Sequence, residues 1–293
     1  MRLLGLDLGG SKLLACGLDD GVIAFRSRRP TGRSFGPADA LAAIVELATE
    51  ARGALGGLDA VGIGFPGLVD HHRGLARSST MLDGWCDVDL ADRVARALDV
   101  RCVVDNDVNA AALHEHACRR ASDLLYVAVG TGIGGALVLG GALWRGAGGF
   151  AGELGHVSID RAGRPCPCGR RGCVHLYASG SAIERAAQLG PGALAAGARA
   201  PEAIRAAADA LGIAIGSALN VLDVPQVVLG GGVAELGPVY TEAVAARIRR
   251  ECFREIGERC VVSTARGGYE AGALGAAMLA RQAATSAARS AIG

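Results

Sequence analysis

The sequence predicts an α/β protein of two domains, and three observations carry that prediction. Apolar strand-like runs alternate with helical patterns along the chain, a unit of strand, glycine turn and strand occurs twice, and 293 residues exceed one typical domain. With 51% hydrophobic residues, 20% charged residues and 45 glycines, the composition suits a packed protein rich in tight turns and excludes a disordered chain. A formal net charge of +1, without a long run of Lys or Arg, gives little attraction for nucleic acid or anionic lipid. The expected partner is a small molecule, with no nucleic acid and no membrane.

The order of elements follows from periodicity and breakers. Segments 3–7, 12–18 and 22–28 read as three consecutive strands, an antiparallel start. Segment 37–53 looks helical, and 61–65 is a short apolar strand running into Pro66 and Gly67. Helical periodicity over 87–98 is followed by a buried-type strand at 101–105 and a helix at 107–116. At Asp123 the opening pattern restarts: strand 124–130, a glycine turn, strand 135–140. Helices follow near 181–188 and 202–222, then a strand at 226–229, a triple-glycine turn, another helix and a final helix at 272–282. We place an N-terminal α/β lobe at 1–107, a larger C-terminal α/β lobe at 108–275, and at 276–293 a C-terminal helix packing back on the first lobe.

Two features bear on compartment. The start of the chain lacks the uninterrupted apolar region of a secretory signal, since Asp7 interrupts it, so a cytoplasmic protein is expected. Segment 124–144 carries no charge and is long enough to span a bilayer, but six glycines lie within it, and a strand, a turn and a second strand explain it better. Nine cysteines, an odd number, argue against a disulfide framework.

Phosphates are bound well by backbone N–H groups that converge on the anion, and glycine lets the backbone come close. Two turns offer this: Asp7, Leu8, Gly9, Gly10, Ser11 and Lys12, and then Gly130, Thr131, Gly132, Ile133, Gly134 and Gly135. The second formally matches a dinucleotide fingerprint, but a strand follows where that motif needs a helix, and neither turn has the lysine spacing of a Walker loop. Asp7 beside such a cradle is a natural partner for Mg²⁺. With the later turn at Gly230, Gly231 and Gly232, the arrangement resembles the sugar kinase/actin-like ATPase superfamily. That resemblance implies a two-lobed actin-like ATPase (ribonuclease H-like) fold with its active site in the interdomain cleft. It places Asp7 on Mg²⁺ and Gly9, Gly10, Ser11, Lys12, Thr131 and Gly132 at the phosphates of ATP, with Gly231 and Gly232 bordering the adenosine.

Asp105, Asn106, Asp107 and Asn109 crowd a strand-to-helix junction, where Asp and Asn serve as caps and where a general base for phosphoryl transfer would also be well placed. Farther on, His156, Cys166, Cys168 and Cys173 come in an order that can supply one tetrahedral Cys₃His zinc site. Together with Gly62 to Gly67 (Gly-Ile-Gly-Phe-Pro-Gly), Glu153 to His156 (Glu-Leu-Gly-His) and Ala178, Ser179 and Gly180, these motifs resemble the ROK family (repressors, ORFs and kinases) over nearly the whole chain. The resemblance implies Asp107 as base, Gly67, Asn106, Glu153 and His156 at the sugar, and a structural Zn²⁺ that His156 joins through its other ring nitrogen.

Two departures bear on the substrate. The family pattern continues Gly-Cys-x-Glu, with that Glu on the sugar near its anomeric end, where this chain has His175; and Met81 stands where many relatives place a sugar-region Asn. His175 is read as a substrate-pocket residue, with a structural histidine or a fourth zinc ligand in place of His156 as the other readings. The function expected is ATP-dependent phosphorylation of a primary, 6-type hydroxyl of glucose or a related hexose, by a homodimer or homotetramer. A kinase for an aminosugar of the kanosamine kind or for a sugar-like cyclitol is the alternative. A sugar-responsive repressor is disfavoured, because only six residues precede Asp7 and a helix-turn-helix module would need more.

Overall fold

The computed structural model describes the backbone of residues 1–290 and the side chains of residues 1–285. Two compact units form, one from Met1–Cys118, Arg145–Phe150 and the chain from Tyr269 onward, the other from Arg119–Trp144 and Ala151–Gly268. The division falls after Cys118, eleven residues beyond the boundary read from the sequence pattern, because the helix that begins at Asp107 stays with the first unit up to its last residue.

The first unit is built on a five-stranded sheet of β1 (Arg2–Leu8), β2 (Lys12–Asp19), β3 (Val22–Pro30), β4 (Ala60–Phe65) and β8 (Arg101–Asn106), in the order β3-β2-β1-β4-β8. β1, β2 and β3 are antiparallel, whereas β4 and β8 run parallel to β1. Both faces are covered, so β1 is apolar almost throughout rather than alternating. Leu4, Leu6 and Leu8 pack with α1 (Pro37–Leu55) and α2 (Leu90–Leu98), and Leu3 joins the cluster of Ala273, Ala277 and Ala280 on the last helix. α1 starts on Pro37 with Asp39 accepting from the Gly36 N–H at 3.1 Å, and it ends on Gly56 at φ +67°. Segment 87–98, read as one helix, divides: β7 (Cys86–Asp89) pairs with β6 (Leu75–Ser78) and through it with β5 (Leu68–Asp70), and only Leu90 onward is helical. α3 (Asp107–Arg119) follows β8 directly.

The second unit repeats the order. Its sheet runs β11 (Ala142–Trp144), β10 (Ile133–Leu139), β9 (Leu124–Val129), β12 (Gln226–Gly230) and β13 (Val261–Thr264), the first three antiparallel and the last two parallel to β9. Segment 124–144 is thus β9 to β11. α4 (His175–Ala178), α5 (Gly180–Ala186), α6 (Pro201–Leu222), α7 (Pro238–Glu251) and α8 (Arg254–Arg259) complete this unit. α6 is long and apolar enough to cross a membrane, and half of that apolar window is buried inside the protein. Ala207, Leu211, Ile215 and Leu219 lie in the core with Leu125, Val127 and Val227 of the sheet.

α9 (Ala271–Ser290) belongs to the first unit and lies against β1, β4 and β8 closer than side chains would permit. A Cβ on Gly5 would sit 1.9 Å from the Ala273 carbonyl oxygen, one on Gly62 1.9 Å from that of Ala276, and one on Gly275 1.7 Å from that of Ala110 in α3. Gly62→Ala is therefore expected to lower stability by about 1–3 kcal/mol or more, because the obstacle is backbone. Gly53→Ala, in the exposed interior of α1 with no atom near its new methyl, should raise it by about 0.5–1 kcal/mol. Urea denaturation of both variants checks the pair; equal midpoints would contradict the packing.

Candidate active site

In the first unit the parallel register brings three residues side by side where the strands end: Asp7 of β1 pairs with Gly64 of β4, and Gly64 with Asp105 of β8. Carboxyl ends of parallel strands are where open α/β sheets place ligands. A Cβ on Gly64 would stand 3.1 Å from the Asp107 Cα, so glycine there lets the first turn of α3 close over the sheet.

Asp105 organises that turn. It is 3% exposed, and its Oδ1 accepts from the Asn106 N–H at 2.8 Å and from Asn109 Nδ2 at 2.9 Å. Its Oδ2 accepts from Arg145 Nε at 2.7 Å and Nη2 at 2.6 Å, both guanidinium nitrogens closing on that one oxygen as charge-assisted bonds. Asn106 Oδ1 in turn accepts from the N–H groups of Val108 and Asn109, at 2.9 and 3.2 Å, and Asn106 Nδ2 donates to the Gly67 carbonyl at 3.1 Å. Asp107, half-buried at the start of α3, accepts from the Val108 N–H at 2.9 Å. Asp107, Asn106 and Gly67 are thus one hydrogen-bonded assembly.

The first glycine turn follows β1. Its Gly9 N–H donates to the Lys12 carbonyl at 2.8 Å and so closes the hairpin rather than facing a ligand, while Thr31 Oγ1 donates to the Gly9 carbonyl at 2.7 Å. Among the hydrogen bonds of the described residues none takes the N–H of Gly10 or Ser11. Met81 lies over Gly10, its Cε 2.9 Å from the position of a Cβ there. Lys12 Nζ stands 5.1 Å from the Tyr269 ring centroid. Burial pushes the Asp7 carboxyl up to about 6, with Lys12 pulling the other way. The carboxylate abuts Gly272 in the first turn of α9.

In the second unit the turn after β9 and the turn after β12 meet, since Gly230 pairs with Ala128 and Val233 N–H donates to the Val129 carbonyl at 3.1 Å. Gly231, at φ +81° with a Cβ position 2.4 Å from the Val129 oxygen, makes the bend, and Gly232 faces a cavity of about 330 Å³. Thr131 and Gly130 line the same cavity with Gly180, Ser181, Glu184 and Glu235. Gly180 N–H donates to the Gly130 carbonyl at 2.7 Å, and Glu184 Oε1 accepts from the Leu194 N–H at 3.1 Å. The cavity size and its glycine floor suit a nucleoside. Gly132 stands in open space at the tip of its turn.

The cysteine cluster also lies in this unit. One ligand atom each from His156, Cys166, Cys168 and Cys173 falls within 4.8 Å of the others, with His156 Nδ1 3.6 Å from Cys166 Sγ and Cys168 Sγ 3.6 Å from Cys173 Sγ. A tetrahedron with 2.3 Å arms separates its ligands by about 3.8 Å, so the donor set fits zinc in both chemistry and size. The Arg170 backbone N–H, and after it the Cys166 thiol, lower Cys168 to about 6, toward the thiolate a metal needs, whereas burial pushes Cys173 up to about 12. Cys166 N–H bonds to the Arg170 carbonyl at 2.8 Å and Gly172, at φ +69°, packs on Asp160, which folds the loop around the sulfurs. Glu153 and His156 bracket a short 3₁₀ turn, Leu154–His156, with His156 N–H bonded to the Glu153 carbonyl at 3.0 Å. His175, read as a pocket residue, instead turns Nε2 toward Cys166 Sγ at 3.1 Å.

The structure therefore gathers Asp7, Gly10, Ser11, Gly67, Asn106 and Asp107 in the first unit. It gathers Gly130, Thr131 and Gly232 at one cavity of the second, and His156 with the three cysteines at the cluster beside Glu153. Arg145, Glu184 and Glu235 escaped sequence reading. Arg145 lies 40 positions from its partner Asp105, and its only signal was a charged residue directly after an apolar strand. Removing it leaves the Asp105 carboxylate buried and uncompensated. Arg145→Met is expected to cost about 3–5 kcal/mol of stability, and Arg145→Lys, which keeps charge without the fork, distinctly less. Chemical denaturation of the two variants checks this, and a wild-type midpoint for Arg145→Met would contradict it.

The ROK family pattern matches residues 3–283. A ROK hexokinase from Thermus thermophilus superposes with a TM-score of 0.83 at 35% identity, covering 98% of this chain and 100% of that one. A ROK family glucokinase from Streptomyces griseus, solved in complex with glucose and AMPPNP, superposes with a TM-score of 0.83 at 30% identity over 96% of this chain and 100% of that one. The N-acetylmannosamine kinase of Citrobacter koseri is 32% identical over 299 aligned residues, 96% of this chain and 99% of the relative. These superpositions establish the actin-like ATPase fold that the glycine turns implied. With a match that spans both units and the motifs in each, the chain belongs to the ROK family.

Proposed function

We infer that this chain is an ATP-dependent sugar kinase that phosphorylates a primary, 6-type hydroxyl of glucose or a related hexose, with Asp107 as the general base. The observation that carries the reading is the locked turn at the end of β8, where Asp105, Arg145 and Asn106 fix the residue that opens α3. A base works only when its carboxylate is held within hydrogen-bond reach of the hydroxyl, and the network supplies that constraint. Similarity to a glucokinase solved with glucose and a nucleotide supports the substrate pair.

In this reading Asp107 takes the hydroxyl proton as the sugar oxygen bonds to the γ-phosphorus, and the bond from that phosphorus to the β–γ bridging oxygen breaks to release ADP. Gly10, Ser11, Thr131 and Gly132 meet the phosphates, and the cavity beside Gly232 takes the adenosine. Asp7 offers the one protein carboxylate expected of a site for nucleotide-borne Mg²⁺, which compensates charge on the phosphates. Gly67, Asn106, Glu153 and His156 hold the sugar hydroxyls. His156, Cys166, Cys168 and Cys173 hold a structural zinc that keeps the His156 ring in place. A cytoplasmic setting accords with nine free cysteines. An aminosugar as acceptor is the second reading, favoured by the near full-length likeness to an N-acetylmannosamine kinase.

Asp107→Asn keeps the size of the side chain and its bond to Val108 while removing the proton acceptor. It should lower kcat at least about a hundredfold with ATP and sugar binding largely kept. Steady-state kinetics with calorimetric binding decides the matter, and near-wild-type turnover would remove Asp107 from the chemistry.

A further inference from the structure

His175 is closer to the cysteine cluster than its place outside the four-ligand group suggests. Its Nε2 lies 3.1 Å from Cys166 Sγ, nearer than His156 Nδ1 at 3.6 Å, and the two rings meet edge to face with centroids 5.0 Å apart. The group whose ligand atoms lie within 4.8 Å of one another nevertheless consists of His156 and the three cysteines. An imidazole nitrogen this close to a ligating sulfur from outside that group makes an outer contact, the kind that orients a metal ligand and sets its hold on the ion.

The backbone carries this contact onward. Leu176 N–H donates to the Cys173 carbonyl at 3.0 Å, Ser179 N–H to the His175 carbonyl at 3.4 Å, and Ala182 N–H to Ser179 Oγ at 3.2 Å. Ser179 is 3% exposed and caps α5. Its neighbour Gly180 donates to the Gly130 carbonyl at 2.7 Å, and Gly130, Gly180 and Ser181 are wall residues of the 330 Å³ cavity. Only segment 174–179 separates a metal-ligating cysteine from that wall, and every step is hydrogen-bonded within one unit. We propose that His175 donates a hydrogen bond to the Cys166 thiolate and that, through α4, the metal centre holds the Gly180 wall of the nucleotide cavity, so that metal and nucleotide bind cooperatively. The coupling rests on the nucleotide reading of that cavity.

The test uses the full chain loaded with zinc, as wild type, His175→Ala and His175→Gln, the last keeping an N–H donor. Two quantities are read: the rate of zinc release to a chromogenic chelator, and ADP affinity by calorimetry, the latter also for zinc-stripped wild type. Expected are one zinc per chain in all three and release at least about tenfold faster from His175→Ala, with weaker ADP binding in that variant and in the stripped protein. His175→Gln should recover most of both. Unchanged release from His175→Ala would overturn the contact, and faster release with unchanged ADP affinity would overturn the coupling. Should His175→Ala prove insoluble, His175→Gln and stripped wild type still decide: ADP affinity indifferent to zinc overturns the coupling, and a His175→Gln protein purified without zinc makes His175 a ligand and overturns the outer assignment. Failure of zinc-loaded wild type to bind ADP would instead sink the nucleotide reading, with zinc release still deciding the contact.

Discussion

The Asp105 carboxylate, buried with both oxygens occupied, is the interaction on which the candidate site depends. One oxygen fixes Asn106 and Asn109, and the other is clamped by Arg145. A carboxylate held this way is strongly constrained, because leaving any one of its donors out strands charge or a polar group in a dry place. The consequence is passed to Asp107 through Asn106, whose side chain caps the next turn and reaches the Gly67 carbonyl.

A second constraint is steric. α9 lies on β1 and β4 at backbone-contact distance because Gly5 and Gly62 carry no side chain, and Gly275 makes the same allowance for α3. That closeness brings the first turn of α9 against Asp7, the residue that strand pairing sets in one register with Gly64 and Asp105. Glycines placed within strands, which weaken a sheet taken alone, here make the packing of the site possible.

Much of this was legible in the sequence, where chemistry and local pattern coincide. The repeated strand, glycine turn and strand became two sheets of the same order, and the junction at Asn106 and Asp107 became a strand running straight into a helix. The cysteines, spaced for one ion, converge with His156. What was hidden depends on contacts between distant segments or on very short elements. β5, β6 and β7 have three or four residues each, too few for periodicity to register, and the polar run at Asp87 and Asp89 passed for the start of α2. Arg145 could not be paired with Asp105 by inspection. Gly9, in a motif that reads as a phosphate cradle, spends its N–H on its own hairpin. His175 was a choice among three roles, and the 3.1 Å approach of its Nε2 to Cys166 Sγ is a contact that spacing alone does not show.

In the proposed function the chain transfers phosphate from ATP to a sugar hydroxyl. Release of ADP, followed by an enzyme-coupled assay across hexoses, aminosugars and cyclitols with Mg²⁺ present, measures it most directly. Expected are sugar-dependent ADP release, with one hexose or aminosugar clearly preferred, and a 6-type phosphate ester as product. ADP release no faster with any of these compounds than without them would contradict the proposed function.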